Sequence, residues 1–115
     1  MATNQNQTTE MTPRVRRRKE LQKKLEEILG SKNVYFQPPE NFKMKYPCII
    51  YNVGGGLRTP ADNVKYLYYQ GYSVTFITKD PDSEIPDKLL EFDYCQPERS
   101  FINENLYHWN FFIYF

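Results

Sequence analysis

Cys48, His108 and the carboxylates between Asp80 and Asp87 are the side chains best suited to bond-making or metal-binding chemistry. A cysteine thiolate beside an imidazole, with a carboxylate orienting the ring, is the arrangement of a nucleophile triad. Asp80, Asp82 and Glu84 alternate in "DPDSEIPD" and offer hard oxygen ligands of the kind that hold calcium. Gly54–Gly56 invite a phosphate-cradling loop, in which backbone N–H groups meet an anion.

Each pattern lacks the residues that would complete it. Cys48 lies in the apolar run "YPCIIYN", where a buried thiol is inert. His108 falls in a strand-like run and reads as a sheet histidine, and one His with two distant Cys has no zinc-ligand spacing. The acidic segment lacks the glycine and distal glutamate of the helix-loop-helix calcium motif. Its aspartates and serine have a simpler use, bonding nearby backbone in a turn and capping the short helix after it. The triple glycine is not followed by Lys-Ser/Thr or by a helix pattern, so it reads as a mobile loop. The expectation is a protein with no catalytic residues, no metal and no cofactor.

Around these residues the chain divides into a tail, two helices and several strands. Residues 1–12 are polar and aperiodic, the composition of a disordered tail. Thr12 and Pro13 suit the start of a helix, and Leu21, Leu25, Ile28 and Leu29 form one helical stripe that ends before Gly30. "NVYFQ" and "YPCIIYN" are strand candidates, and "GGGLRTPADN" is expected to be a loop. Val64–Thr78 is the longest strand pattern, with Gly71 marking a bend or bulge. Pro81 and Asp82 turn the chain into a short helix at "IPDKLLEF". "YCQPERSFI" and "NLYHWNFFIYF" are strands joined through "NEN". In the last, Tyr107, Trp109, Phe111, Ile113 and Phe115 share one face, and both faces carry aromatics. The fold class is α+β: an N-terminal helix packed on a mainly antiparallel sheet, with a second short helix after the long central strand, forming one domain over residues 13–115.

Ten Tyr, eight Phe and one Trp among 115 residues suit a sheet core and a sticky exterior. The net charge of +1 gives no overall pull toward polyanions, but it is unevenly distributed. Arg14, Arg16, Arg17, Arg18, Lys19, Lys23 and Lys24 crowd the first helix, while Asp80, Asp82, Glu84, Asp87, Glu91, Asp93, Glu98 and Glu104 dominate the C-terminal part. If folding sets those regions on opposite sides, copies can join head to tail. The alternative use of "RVRRRKELQKK" is a small nucleic-acid-binding protein that grips phosphates without reading sequence. No run has the roughly 18 apolar residues of a membrane span, and the N-terminus has no signal-peptide core. The two cysteines are expected as reduced thiols in a cytoplasm.

Taken in order, "VYFQPPENFKMKYPCIIY", "ADN", "YSVTFITKDPDSEIPDKLLEF" and "NENLYHWNFFIYF" resemble the tail terminator (tail completion) proteins of long-tailed bacteriophages, over about Val34–Phe115. The glycine-rich "NVGGGLRTP" and Trp109 depart from that pattern. The resemblance implies a structural virion protein forming a homohexameric ring on the finished tail tube. Such a ring ends tube polymerisation and presents the surface that joins the neck of the head. Its implied partners are further copies of itself, the tail tube protein and a neck or head-completion protein. DNA would pass through the lumen without sequence-specific binding, and no membrane is involved. Assembly is expected in the host cytoplasm, and the site of action is the head-proximal end of the virion tail. Arg16, Arg17 and Lys24 against Asp80, Asp82, Glu84 and Asp87 are candidates for the subunit interface. Leu57, Arg58, Asp62 and Asn63 are candidates for tube or neck contact.

Overall fold

The computed structural model describes residues 12–58 and 69–115, with the side chains of residues 55–58 outside that description. Residues 1–11 of the expected disordered tail (1–12), the strand pattern over Val64–Tyr68, and Asp62 and Asn63 therefore lie outside the described residues. Helix α1 spans Pro13–Leu29. Thr12 is its N-cap, with Oγ1 accepting the Val15 N–H at 3.3 Å, and Pro13 opens the first turn, where no N–H is needed. Gly30 ends it in the left-handed region, at φ 82°, and its N–H donates to the Glu26 carbonyl. A β-carbon there would cost about 1 kcal/mol. Leu21 and Leu25 are fully buried, so the apolar stripe faces inward as its spacing requires.

Six strands come after it, with one short helix among them: β1 (Val34–Phe36), β2 (Cys48–Arg58), β3 (Tyr69–Thr78), α2 (Ile85–Leu89), β4 (Cys95–Pro97), β5 (Phe101–Asn103) and β6 (Leu106–Tyr114). The sheet order is β1-β2-β3-β6-β4, with β5 also pairing β6. β1 and β2 are parallel and every other pair is antiparallel. The architecture is α+β, with α1 lying over β1 and β2 and touching α2. Ile49 and Tyr51 of β2, Tyr72, Val74 and Phe76 of β3, and Phe111 and Ile113 of β6 point to the helices and form the core with Leu21, Leu25 and Leu89. Period-two alternation places Ile50 and Asn52 of β2, Ser73, Thr75 and Ile77 of β3, and His108, Asn110 and Phe112 of β6 on the other face, which no helix covers.

Two expectations about the strands are corrected. Gly54–Arg58 is not a loop but the second half of β2. Val53 pairs with Tyr72 and Leu57 with Gln70, so the three glycines sit opposite Gly71 in a bulge. Thr59–Asn63, the rest of the expected loop, lies outside the described residues. The segment "YCQPERSFI" is not one strand but two, β4 and β5, which pair with opposite ends of β6. The Glu98 N–H still donates to the Asn110 carbonyl at 2.7 Å, and the register then slips by one residue before Phe101 pairs with His108. Glu104 and Asn105 both have positive φ, 54° and 66°, the geometry of the two-residue hairpin turn that joins β5 to β6.

Candidate self-association surfaces

Strand order decides how charge is distributed. Residues 12–58 build α1, β1 and β2 on one side of the sheet and carry eleven Lys or Arg against four Asp or Glu. Residues 69–115 build β3, α2, β4, β5 and β6 and carry three Lys or Arg against eight Asp or Glu. The subunit therefore has a basic flank and an acidic flank. The sequence asymmetry becomes an asymmetry in space.

The basic residues are not placed to support their own helix. Arg14, Arg16, Arg17, Arg18 and Lys19 occupy the first two turns of α1, and its first turn has no acidic side chain. The helix macrodipole disfavours cations at that end by about 0.3–1 kcal/mol each. Arg17 and Arg18 pack on aromatic rings of the sheet. The Arg17 guanidinium lies 4.6 Å from the Phe115 ring centroid and 5.5 Å from that of Tyr69, with Nη1 3.6 Å from Glu20. Arg18 lies over Phe36 at 4.4 Å and donates to the Tyr51 hydroxyl at 3.0 Å. That hydroxyl donates in turn to Gln22 Oε1 at 2.5 Å, and Gln22 Nε2 donates to the Val34 carbonyl. Burial raises the Tyr51 pKa, and the Arg18 hydrogen bond works in the opposite direction. Arg14, Arg16 and Lys19 are exposed.

The Asp80–Asp87 corner stands at the other end of α1. Arg17 meets Tyr69 where β3 begins, whereas Leu29 lines a pocket with Thr78, Asp80 and Ser83 where β3 ends. The helical rise from Arg17 to Leu29 separates the two by about 18 Å. Within one subunit the structure thus does not bring Arg16 or Arg17 to Asp80, Asp82, Glu84 or Asp87, all four of which are exposed. Lys24 lies between these ends, in an open cleft of about 460 Å³ where Arg17, Lys24 and Lys88 are balanced by Glu27, Glu91 and Asp93. The corner is built by its own polar groups. Thr78 Oγ1 accepts the Asp80 N–H, Asp80 Oδ1 accepts the Asp82 N–H at 2.9 Å, and Ser83 Oγ accepts the Ile85 N–H. These bonds give the carboxylate-rich turn a structural purpose.

The candidate triad members are kept apart. Cys48 and His108 both pair with Ile77, from opposite sides, so they share a sheet face two strand spacings apart, roughly 10 Å. Cys48 is fully buried, and burial pushes its thiol up to about 11, so it is protonated at neutral pH. His108 stacks on Phe101 with ring centroids 4.5 Å apart. Among the described residues no group of three or more His, Cys, Asp or Glu is placed to hold a metal ion, and no helix is long and apolar enough to cross a membrane. The backbone of Leu57 and Arg58 belongs to β2, paired with Gln70 and Tyr69.

Sequence reading missed the exposed apolar residues at the sheet edges. Val53 and Phe42 lie along the β1–β2 edge, and Phe101 and Ile102 belong to β5 at the other. Alternation within each strand signals which residues leave the core, but strand order alone shows which of them reach an edge. Compared with known proteins, the chain matches no family model, no curated protein and no solved structure.

Proposed function

We propose that this chain is a structural virion subunit, a tail terminator that acts by closing into a ring on the end of a phage tail tube. Its ring would stop tube growth and offer the docking surface for the neck. The observation that carries this reading is the division of charge across the sheet. A subunit basic on one flank and acidic on the other is complementary to its own copy in a head-to-tail arrangement, the kind of contact that generates rings. Cations stacked against the dipole of α1 support the same reading, since an anionic neighbour offsets what they cost the isolated helix. The aromatic face of the sheet opposite the helices supplies further surface for assembly.

Electron microscopy of the purified chain and of tails assembled with and without it tests this. Rings at the head-proximal end, and tubes that overrun their normal length when the chain is omitted, are the expected results. Tubes of normal length without it would sink the proposal.

The exposed cations Arg14, Arg16 and Lys19 favour a second reading, a nucleic-acid-binding protein gripping phosphates through α1. It requires monomers whose retention on DNA falls steeply with added salt.

A further inference from the structure

We infer that copies of this chain associate side by side through the two edges of the sheet, the β1–β2 edge of one subunit seating the β4–β5 edge of the next. The inference rests on the ring reading and names its seam.

Both edges are unfinished. β1 covers only Ile49–Tyr51 of β2. Gln37, at φ 45°, then turns the chain away, donating its N–H to the Tyr51 carbonyl and accepting the Val53 N–H on its side-chain oxygen. Beyond Val53, β2 runs on to Arg58 with no strand beside it on that side among the described residues. At the opposite edge, β4 and β5 are three residues each and pair only with β6. Pro97 blunts β4. In β5 the hairpin alternation turns the backbone N–H and C=O of Ile102 outward, beside a side chain 65% exposed. Unpaired strand edges are templates for another chain.

The edges also match in height and charge. Val53 pairs with Tyr72, Tyr72 with Ile113, and Ile113 with Cys95, so Val53 and Cys95 stand on the same row at opposite edges. A lower row runs from Tyr35, whose ring meets that of Phe42, through Ile50 and Thr75 to Asn110, just above the Phe101–His108 pair. Displacing a copy sideways by the width of the sheet brings Val53 toward the β4 edge at Cys95, and Phe42 toward Phe101 and Ile102, whereas the Tyr94 ring turns inward onto Tyr69 at 5.0 Å. Val53, Phe42, Phe101 and Ile102 are between 42% and 65% exposed in the single subunit. Lys32, Lys43 and Lys45, with Glu40, border the first edge, and Asp93, Glu98 and Glu104, with Arg99, the second, leaving a surplus of two positive charges on one and two negative on the other. The same edge set against its own copy would oppose like charges, so the favoured contact is heterologous and each subunit keeps one free edge until the ring closes.

Disulfide trapping tests the seam. Phe42→Cys and Phe101→Cys are introduced singly and together into a Cys95→Ser background, oxidised, and resolved on non-reducing gels beside size-exclusion runs of the unaltered chain. The expected result is a ladder of linked multimers from the double variant and none from either single variant. Linked dimers from a single variant would mean an edge meeting its own copy, which overturns the head-to-tail seam. If the unaltered chain forms rings but no variant crosslinks, the seam lies elsewhere while the ring reading stands. If the unaltered chain stays monomeric, alone and on tail ends, and nothing crosslinks, both fall.

Discussion

Phe112 and Gly71 touch across the uncovered face of the sheet: a β-carbon on Gly71 would fall 2.7 Å from Phe112 Cζ and 2.6 Å from the Gly54 carbonyl oxygen. The two residues are diagonal neighbours on adjacent strands, since Phe112 pairs with Ser73 and Gly71 with Tyr114. The ring shields backbone that two glycines leave bare, and the glycines let the ring approach. The bulge at Gly54–Gly56 lies beneath the same ring, which touches Gly54 as well.

Gly71→Ala should therefore destabilise the fold by about 1–3 kcal/mol, the usual range for overpacking. Gly54→Ala should cost less, because its β-carbon would meet only the Phe112 ring, at 3.1 Å, with no backbone atom closer than 3.5 Å. Urea unfolding separates the two. Phe112→Ala should relieve Gly54→Ala but only part of Gly71→Ala, because the Gly54 carbonyl stays in place. Full relief at Gly71 would show that the backbone contact carries no energy.

Tyr51→Phe should cost about 1–3 kcal/mol, since it removes the acceptor of Arg18 and the donor to Gln22 in a partly buried network. Equilibrium unfolding measures the loss. Gln22 remains tied to the Val34 carbonyl, so α1 should stay docked and the circular dichroism of the folded state should not change.

Charge reversal should act differently at neighbouring positions of α1. Arg16→Glu should weaken self-association and its dependence on salt. Arg17→Glu should also destabilise the subunit, because it loses the stacking on Phe115, worth about 0.5–2 kcal/mol. Sedimentation at two salt concentrations, with thermal melts of each variant, distinguishes these effects. Unchanged association in Arg16→Glu would remove that residue from the contact.

Alkali should destabilise the subunit through Cys48. Its thiol pKa rises from 9.0 unfolded to about 11 folded because burial disfavours the thiolate. Between those values the unfolded chain binds fewer protons than the folded one, so stability is intact below pH 9 and is lost as pH rises toward 11. Cys48→Ala should flatten that decline, at the expense of some packing at all pH values. Unfolding midpoints from pH 8 upward test this, with the native thiol expected to resist alkylation at neutral pH.

The local features of the chain could be read without its fold. Thr12, Pro13, the leucine stripe and Gly30 specify α1 because capping and amphipathic period act within a few residues. The odd-numbered face of β6 was legible for the same reason, alternation being a property of the strand itself. Glycines 54–56 misled, since their composition suits a loop and only pairing with β3 makes them a bulge. The break between β4 and β5 was equally hidden, because both find their partner in β6.

Sequence by itself placed cations early in the chain and carboxylates late, and it supplied the residues that cap, turn and alternate. Tertiary structure decided that this order becomes two opposed flanks. The antiparallel β2–β3 pair lies in the middle of the sheet, so the chain before it builds outward on one side and the chain after it on the other. Which side chains reach an edge, and at what height, depends on pairings between residues far apart in the chain, and long-range register is not written in any local pattern.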